Sequence, residues 1–202
     1  MNVSQCVTCT KFPCQDVNHH NYIVPGIEID PSTVKIILIS ESAPADLADY
    51  YYAGGASQFE ATTVQAFNDA GADVKSIQEI LNYGVYLTTA IKCGKSGYGI
   101  ATRTIQECSH ILEKEIALFP NAMVYLLMGD VAIKAVNTIA RRCHEPRAVP
   151  AGSTYKIRGE KYYFRQARVF PSYLQAGPSF NIEKSKRRMI AEDIAAALAS
   201  AT

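Results

Sequence analysis

Six cysteines stand at positions 6, 9, 14, 93, 108 and 143, and four of them have the spacing of a metal site. Cys6 and Cys9 form a C-x2-C pair, in which two intervening residues let both thiolates turn toward one centre. Cys93 follows the strand-like run Tyr86–Ile91. Cys108 falls in the first turn of a helix, where unpaired backbone N–H groups and the helix dipole favour a thiolate. Cys6, Cys9, Cys93 and Cys108 therefore read as a four-thiolate set, suited to structural zinc or to an iron–sulfur cluster; spacing alone does not separate the two. Cys14 and Cys143 are spare, and Cys14 is an alternative to Cys9. Cys108 also lies on the apolar stripe of its helix, so a plain core role is the competing reading for it.

The elements that must position these thiols can be read from periodicity. Val34–Ile39 is an apolar, β-branched run of the kind buried on both faces of a sheet, ending in the turn-like Ser40-Glu41-Ser42-Ala43-Pro44. Helices are expected over Phe59–Ala70 and Val74–Leu81, and a second strand over Val85–Ile91. Thr104 with Glu107 fits a capping box, which starts a helix running to Phe119. Ala122–Met128 reads as a third strand, and Asp130 as the N-cap of a helix to Ala140. A hairpin turning at Gly159-Glu160 is expected within 154–169, leading to a final strand, and Ile182–Ala199 closes the chain as a helix. Strands alternating with helices predict an α/β three-layer α/β/α sandwich with a central, mainly parallel sheet. Ligands of such sheets bind beyond the carboxyl ends of the strands, so loops 40–44, 92–99 and 170–177 should converge on the site.

At 202 residues the chain is read as one domain, 1–202, with a cysteine-bearing arm over residues 1–33 tied to the core by the metal centre. No apolar run approaches the roughly 20 residues of a membrane span, and no secretory leader is legible. A cytoplasmic protein with no membrane partner is expected, in which cysteines serve as ligands or core rather than as a disulfide scaffold. Net charge is only +1, but it is unevenly distributed. Residues 141–188 hold twelve Lys and Arg against three Glu, and the rest of the chain is correspondingly acidic. That asymmetry predicts one face built for an anion, with nucleic acid first among candidates and a merely solvated basic surface as the alternative. Gly94-Lys95-Ser96 is reminiscent of a phosphate-binding loop, but the first glycine of that motif would fall at 89, which is Thr.

In order along the chain, Cys6-Val-Thr-Cys9, Ile39-Ser-Glu-Ser-Ala-Pro44, Tyr86-Leu-Thr-Thr-Ala-Ile-Lys-Cys93, Cys108, Leu126–Ala135 and Phe170-Pro-Ser172 resemble the uracil-DNA glycosylase superfamily, most closely its iron–sulfur branches. The resemblance implies that family's fold and a [4Fe–4S] cluster on Cys6, Cys9, Cys93 and Cys108, with zinc as the alternative. It further implies a monomer acting on DNA, excising uracil or another deaminated or modified base in base-excision repair. Three positions depart from the family pattern. Ser40 replaces a Gly, Thr89 replaces the Asn that reads the uracil edge, and Phe170 replaces the His of the H-P-S loop. A Thr hydroxyl lacks the paired donor and acceptor of an amide, and a phenyl ring cannot support a departing base as imidazole does. A catalytically inactive nucleic-acid-binding module on the same fold is therefore the alternative, and a zinc-stabilised enzyme of free nucleosides a third.

Breaking an N-glycosidic bond leaves positive charge on the sugar, which a carboxylate can stabilise while it positions water. Glu41 matches the family's loop glutamate and is the first candidate, with Asp46 and then Asp49 behind it. Loop fastening is the competing role for Glu41. Phe59 aligns with the family's pocket phenylalanine, so Phe59, Thr89 and Phe170 are the expected base-binding residues. Ser172, Tyr173, Lys184, Lys186, Arg187 and Arg188 are the expected DNA contacts, the basic cluster opening the last helix where bound phosphate would offset cations beside a positive dipole end.

Overall fold

The apolar run after Val34 forms β2 (Ile36–Ala43), whose Ile37, Leu38 and Ile39 are fully buried in this computed structural model, which describes residues 1–55, 57–97 and 99–201. Burying each such side chain contributes roughly 1.5–3 kcal/mol. The strand does not stop at Ile39: Ser40, Glu41 and Ser42, expected in a turn, continue it, because β3 (Val85–Lys95) stays paired alongside. That β3 also runs past its expected end at Ile91. Its pairing with β2 steps from Ser42 opposite Ile91 to Ala43 opposite Gly94, so Lys92 and Cys93 bulge out of the ladder.

The other elements are α1 (Val3–Cys6), β1 (Val17–Asn18), α2 (Gln58–Asp69), α3 (Ile77–Asn82), α4 (Thr102–Ile116), β4 (Val124–Met128), α5 (Asp130–Arg142), α6 (Thr154–Ile157), β5 (Tyr162–Phe164), β6 (Ala167–Ser172) and α7 (Lys184–Ser200). They build a six-stranded sheet in the order β1-β3-β2-β4-β6-β5, with a parallel centre β3-β2-β4-β6 and antiparallel strands at both edges. Side chains of α4, α5 and the N-terminal arm cover one face, and those of α2, α3 and α7 the other. The expected α/β/α layering is the observed one.

Three boundaries differ from the sequence reading. Ala101, not Thr104, precedes α4, and the Thr104 hydroxyl donates instead to Asp16 of the arm. Gly129, at φ +100°, takes the N-cap place of α5 and Asp130 opens the helix. The hairpin turns at Arg165-Gln166, both with positive φ, while residues near Gly159 follow the short α6. Glycine is the commoner signal for a left-handed turn, so a turn built from Arg and Gln is not legible locally. Among the described residues no helix is long and apolar enough to cross a membrane.

Candidate active site and thiol cluster

A cavity of about 650 Å³ opens where the carboxyl ends of β2 and β3 meet the segment after β6. Its walls include Glu41, Asp46, Asp49, Phe59, Lys95 and Leu174. The three loops expected to converge do so here, although part of the second, Tyr98, lies outside the described residues. Glu41 ends up here because β2 carries on beyond the core, and its side chain folds over Gly129, the residue before α5. Within the described residues its carboxylate makes no hydrogen bond or ion pair. Asp46, by contrast, spends Oδ1 on the Ala48 N–H at 3.0 Å, capping a short turn, and Asp49 Oδ1 accepts from the Gln58 N–H at 3.3 Å.

Phe59 lines the cavity, held between the Tyr51 ring, 5.2 Å away between centroids, and the backbone of Gly177. Beneath it lies a buried polar knot. The amide nitrogen of Gln175 donates to Tyr51 Oη at 2.9 Å, and Ser40 Oγ bonds both Tyr51 Oη and Gln175. Burial pushes the Tyr51 phenol well up, so it stays a neutral hydrogen-bonding group. Ser40, standing where the resemblance implies a glycine, thus ties β2 to the segment after β6. That tie depends on Gln175 and could not be read from position 40 alone.

Two expected base-binding residues are not in the cavity wall. Thr89 is fully buried and its hydroxyl donates to the carbonyl of Ile91, 2.9 Å away in its own strand. Phe170 sits inside β6, packed in the core under the Arg168 guanidinium at 4.5 Å. Of the expected DNA contacts, Ser172 is buried and bonds Asp193 of α7. Tyr173 is half-buried under the Lys186 ammonium. Lys186 pairs with Glu183, Arg187 with Asp69, and Arg188 with Glu192. Lys184 is exposed and has no partner among the described residues.

On the opposite flank of β3, the bulge turns Lys92 inward and Cys93 toward the arm. The Lys92 ammonium, fully buried, bonds Thr88 Oγ1 at 2.7 Å and the Thr89 carbonyl at 2.6 Å, and pairs with buried Glu115 of α4. Glu115 also accepts from Tyr86 Oη and Thr88 Oγ1, each at 2.7 Å. Beside this buried pair the thiols gather. Cys9, Cys14 and Cys108 line a second cavity of about 410 Å³. The neighbouring Cys108 draws the Cys14 thiol down to about 6, and Cys14 in turn, with burial, pushes Cys108 up. Burial pushes Cys93 up to about 12. His19 Nε2 is 2.6 Å from the Cys14 carbonyl and must be the donor there, which leaves Nδ1 to accept from the Cys93 thiol at 3.5 Å.

Cys6 is placed differently from the sequence expectation. It is exposed at the end of α1, its thiol directed to the Asn2 carbonyl at 3.4 Å, and Cys14 accompanies Cys9, Cys93 and Cys108 instead. Cys14, expected only as an alternative to Cys9, lines the cavity together with it, and His19 stands in no motif that would mark it. Four thiols and the His19 imidazole form a donor set suited to iron–sulfur or zinc, with the Glu107 side chain in the same cavity wall. Among the described residues no three His, Cys, Asp or Glu side chains stand at single-ion spacing.

The arm bearing these thiols also reaches the first cavity. β1 pairs with Gly94 and Lys95, and the Asn21 amide donates to the Ala45 carbonyl. Gly94 is pressed between them: a Cβ there would stand 2.8 Å from Asn21 Cβ and 2.9 Å from the Pro44 carbonyl oxygen.

The chain is similar to the type-5 uracil-DNA glycosylase of Thermus thermophilus, with 33% identity over 98 residues, which make up 47% of this chain and 43% of the relative. The match thus spans less than half of the relative's length. The family model described as uracil DNA glycosylase superfamily matches residues 28–196, which include β2, Glu41, Phe59, Cys93 and Cys108. The chain belongs to the uracil DNA glycosylase superfamily.

Proposed function

We propose that this protein hydrolyses the N-glycosidic bond of uracil or another deaminated or modified base in DNA. The observation that carries this reading is Glu41: a carboxylate with no hydrogen-bond or ion-pair partner among the described residues, facing a cavity of about 650 Å³ at the carboxyl ends of the parallel strands, with Phe59 in the wall. As the bond from C1′ to the base nitrogen opens, positive charge grows on the sugar. Glu41 stabilises that charge and takes a proton from the water that adds to C1′. Phe59 offers a face on which an extruded base stacks. Asp46, half engaged as a cap, is the reserve carboxylate.

DNA approaches, in this reading, over Tyr173 and the start of α7, with Lys184 free to meet a phosphate and Lys186, Arg187 and Arg188 exchanging carboxylates for phosphates. The protein acts as a cytoplasmic monomer of one domain. A [4Fe–4S] cluster, or zinc in its place, would be held by Cys9, Cys93 and Cys108 with Cys14, whose packing beside Cys9 and Cys108 supports it over the exposed Cys6. Such a group would supply a covalent lash between arm 1–33 and the core, with no part as a reactant in the hydrolysis.

Oligonucleotides carrying uracil, hypoxanthine or xanthine, single-stranded and paired, test the reading. Alkali-labile abasic sites should appear with at least one of them and vanish in E41Q. If none yields an abasic site while salt-dependent DNA binding persists, the protein is a binding module on this fold.

A further inference from the structure

We infer that Lys95 supplies the positive charge that the departing base requires. The inference rests on the glycosylase reading and deepens it. When the C1′–N bond breaks, its electron pair leaves on the base nitrogen and spreads to the base's carbonyl oxygens. Water adds to C1′, its proton passes to Glu41, and free base and an abasic sugar result. Something in the cavity must meet the anion, and the residues at 89 and 170 do not. The Thr89 hydroxyl is bound to its own strand, and the Phe170 ring is in the core and lacks a donor. Among the described lining residues Lys95 is the one basic side chain, set among Glu41, Asp46 and Asp49. Its ammonium has no hydrogen bond or ion pair within the described residues, unlike those of Lys92, Lys134 and Lys186.

Its placement is built rather than incidental. Lys95 is the last residue of β3, paired with Val17 of β1, and the residue before it is wedged between Asn21 and Pro44. A lysine at the tip of a loose loop would lose entropy on meeting the base; this one has its backbone held from both sides. The arm that carries the thiols thereby holds the strand end that bears the cation.

The test uses the full chain, with K95M and K95R, and bases that differ as leaving groups. K95M should slow uracil release in single turnovers by about 10²–10³-fold and slow release of 5-fluorouracil less, because that base holds negative charge better by itself. K95R should recover much of the loss. An equal loss for both bases, accompanied by a shallower salt dependence, marks a phosphate contact and overturns the inference. A second arm needs no turnover. Free 5-nitrouracil, which is largely an anion at neutral pH, should bind the wild-type protein more tightly than uracil does, and K95M should erase that preference. Absence of excision in every form strikes the glycosylase reading, and the binding arm then decides the lysine separately: a preference unchanged in K95M overturns it.

Discussion

Glu41 lies directly over Gly129: a Cβ placed on that glycine would stand 2.6 Å from Glu41 Oε1 and 2.7 Å from its Cγ. Gly129 also holds φ +100°, where side chains are strained. The start of α5 thus leaves the space in which the carboxylate rests.

Two substitutions separate the position of that carboxylate from its charge. G129A should destabilise the fold by about 1–3 kcal/mol and reduce base excision by displacing Glu41. E41Q should reduce excision by about 10²–10⁴-fold and leave the thermal unfolding midpoint nearly unchanged. Single-turnover kinetics alongside thermal melts check both. Full activity in E41Q would move the catalytic role to another carboxylate.

Metal content discriminates between Cys6 and Cys14. Anaerobically purified protein should be brown with broad visible absorption if the cluster is iron–sulfur, and colourless with bound zinc. C14S, C93S and C108S should lose the metal, whereas C6S should keep it, since Cys6 is exposed and turned to Asn2. Elemental analysis reads the result, and loss of metal in C6S with retention in C14S would restore the C-x2-C pair as the ligands.

The buried pair of Lys92 and Glu115 gives a stability prediction. Removing one partner strands a charge in a site with no exposure, so K92M or E115L alone should cost about 3–5 kcal/mol. The double variant K92M/E115L should be more stable than either single one, because no orphaned charge remains. Urea denaturation of the four proteins measures the coupling; strict additivity would mean that the two groups act independently.

Acid sensitivity should trace in part to Glu113. Burial opposes its ionisation, but hydrogen bonds from Arg142, Cys143 and Arg165 outweigh this and hold the carboxyl near 2, below its ordinary 4.5. Between those values the unfolded chain binds the proton and the folded one does not. The contribution to stability is therefore complete above about pH 4.5 and disappears as pH falls toward 2. Thermal melts across that range should show a flatter pH dependence in E113Q than in the wild type.

Much of this architecture is written in local patterns. The apolar, β-branched runs before Ser40 and before Lys92 could only be buried strands, and the three-to-four spacing of Ile105, Cys108, Leu112 and Ile116 marks the stripe by which α4 meets the sheet. Glu41 and Phe59 were legible through the family resemblance, one at the tip of the first long strand and the other at the head of a helix, and both line the cavity. Side-chain periodicity is a short-range property, so it survives in one dimension.

Pairings across distant segments do not. That Cys14 joins Cys108, that His19 faces Cys93, and that Thr89 and Phe170 turn away from the cavity follow from a bulge at Lys92–Cys93 and from where β6 registers against β4. Lys95 became a cavity residue because β3 continues for four residues beyond its apolar run, held by an arm some seventy-five positions earlier in the chain. Composition and spacing determined which elements form and which side chains could bind metal or carry charge. Strand register and the bulge, set by the packing of the whole sheet, decided which of those side chains meet.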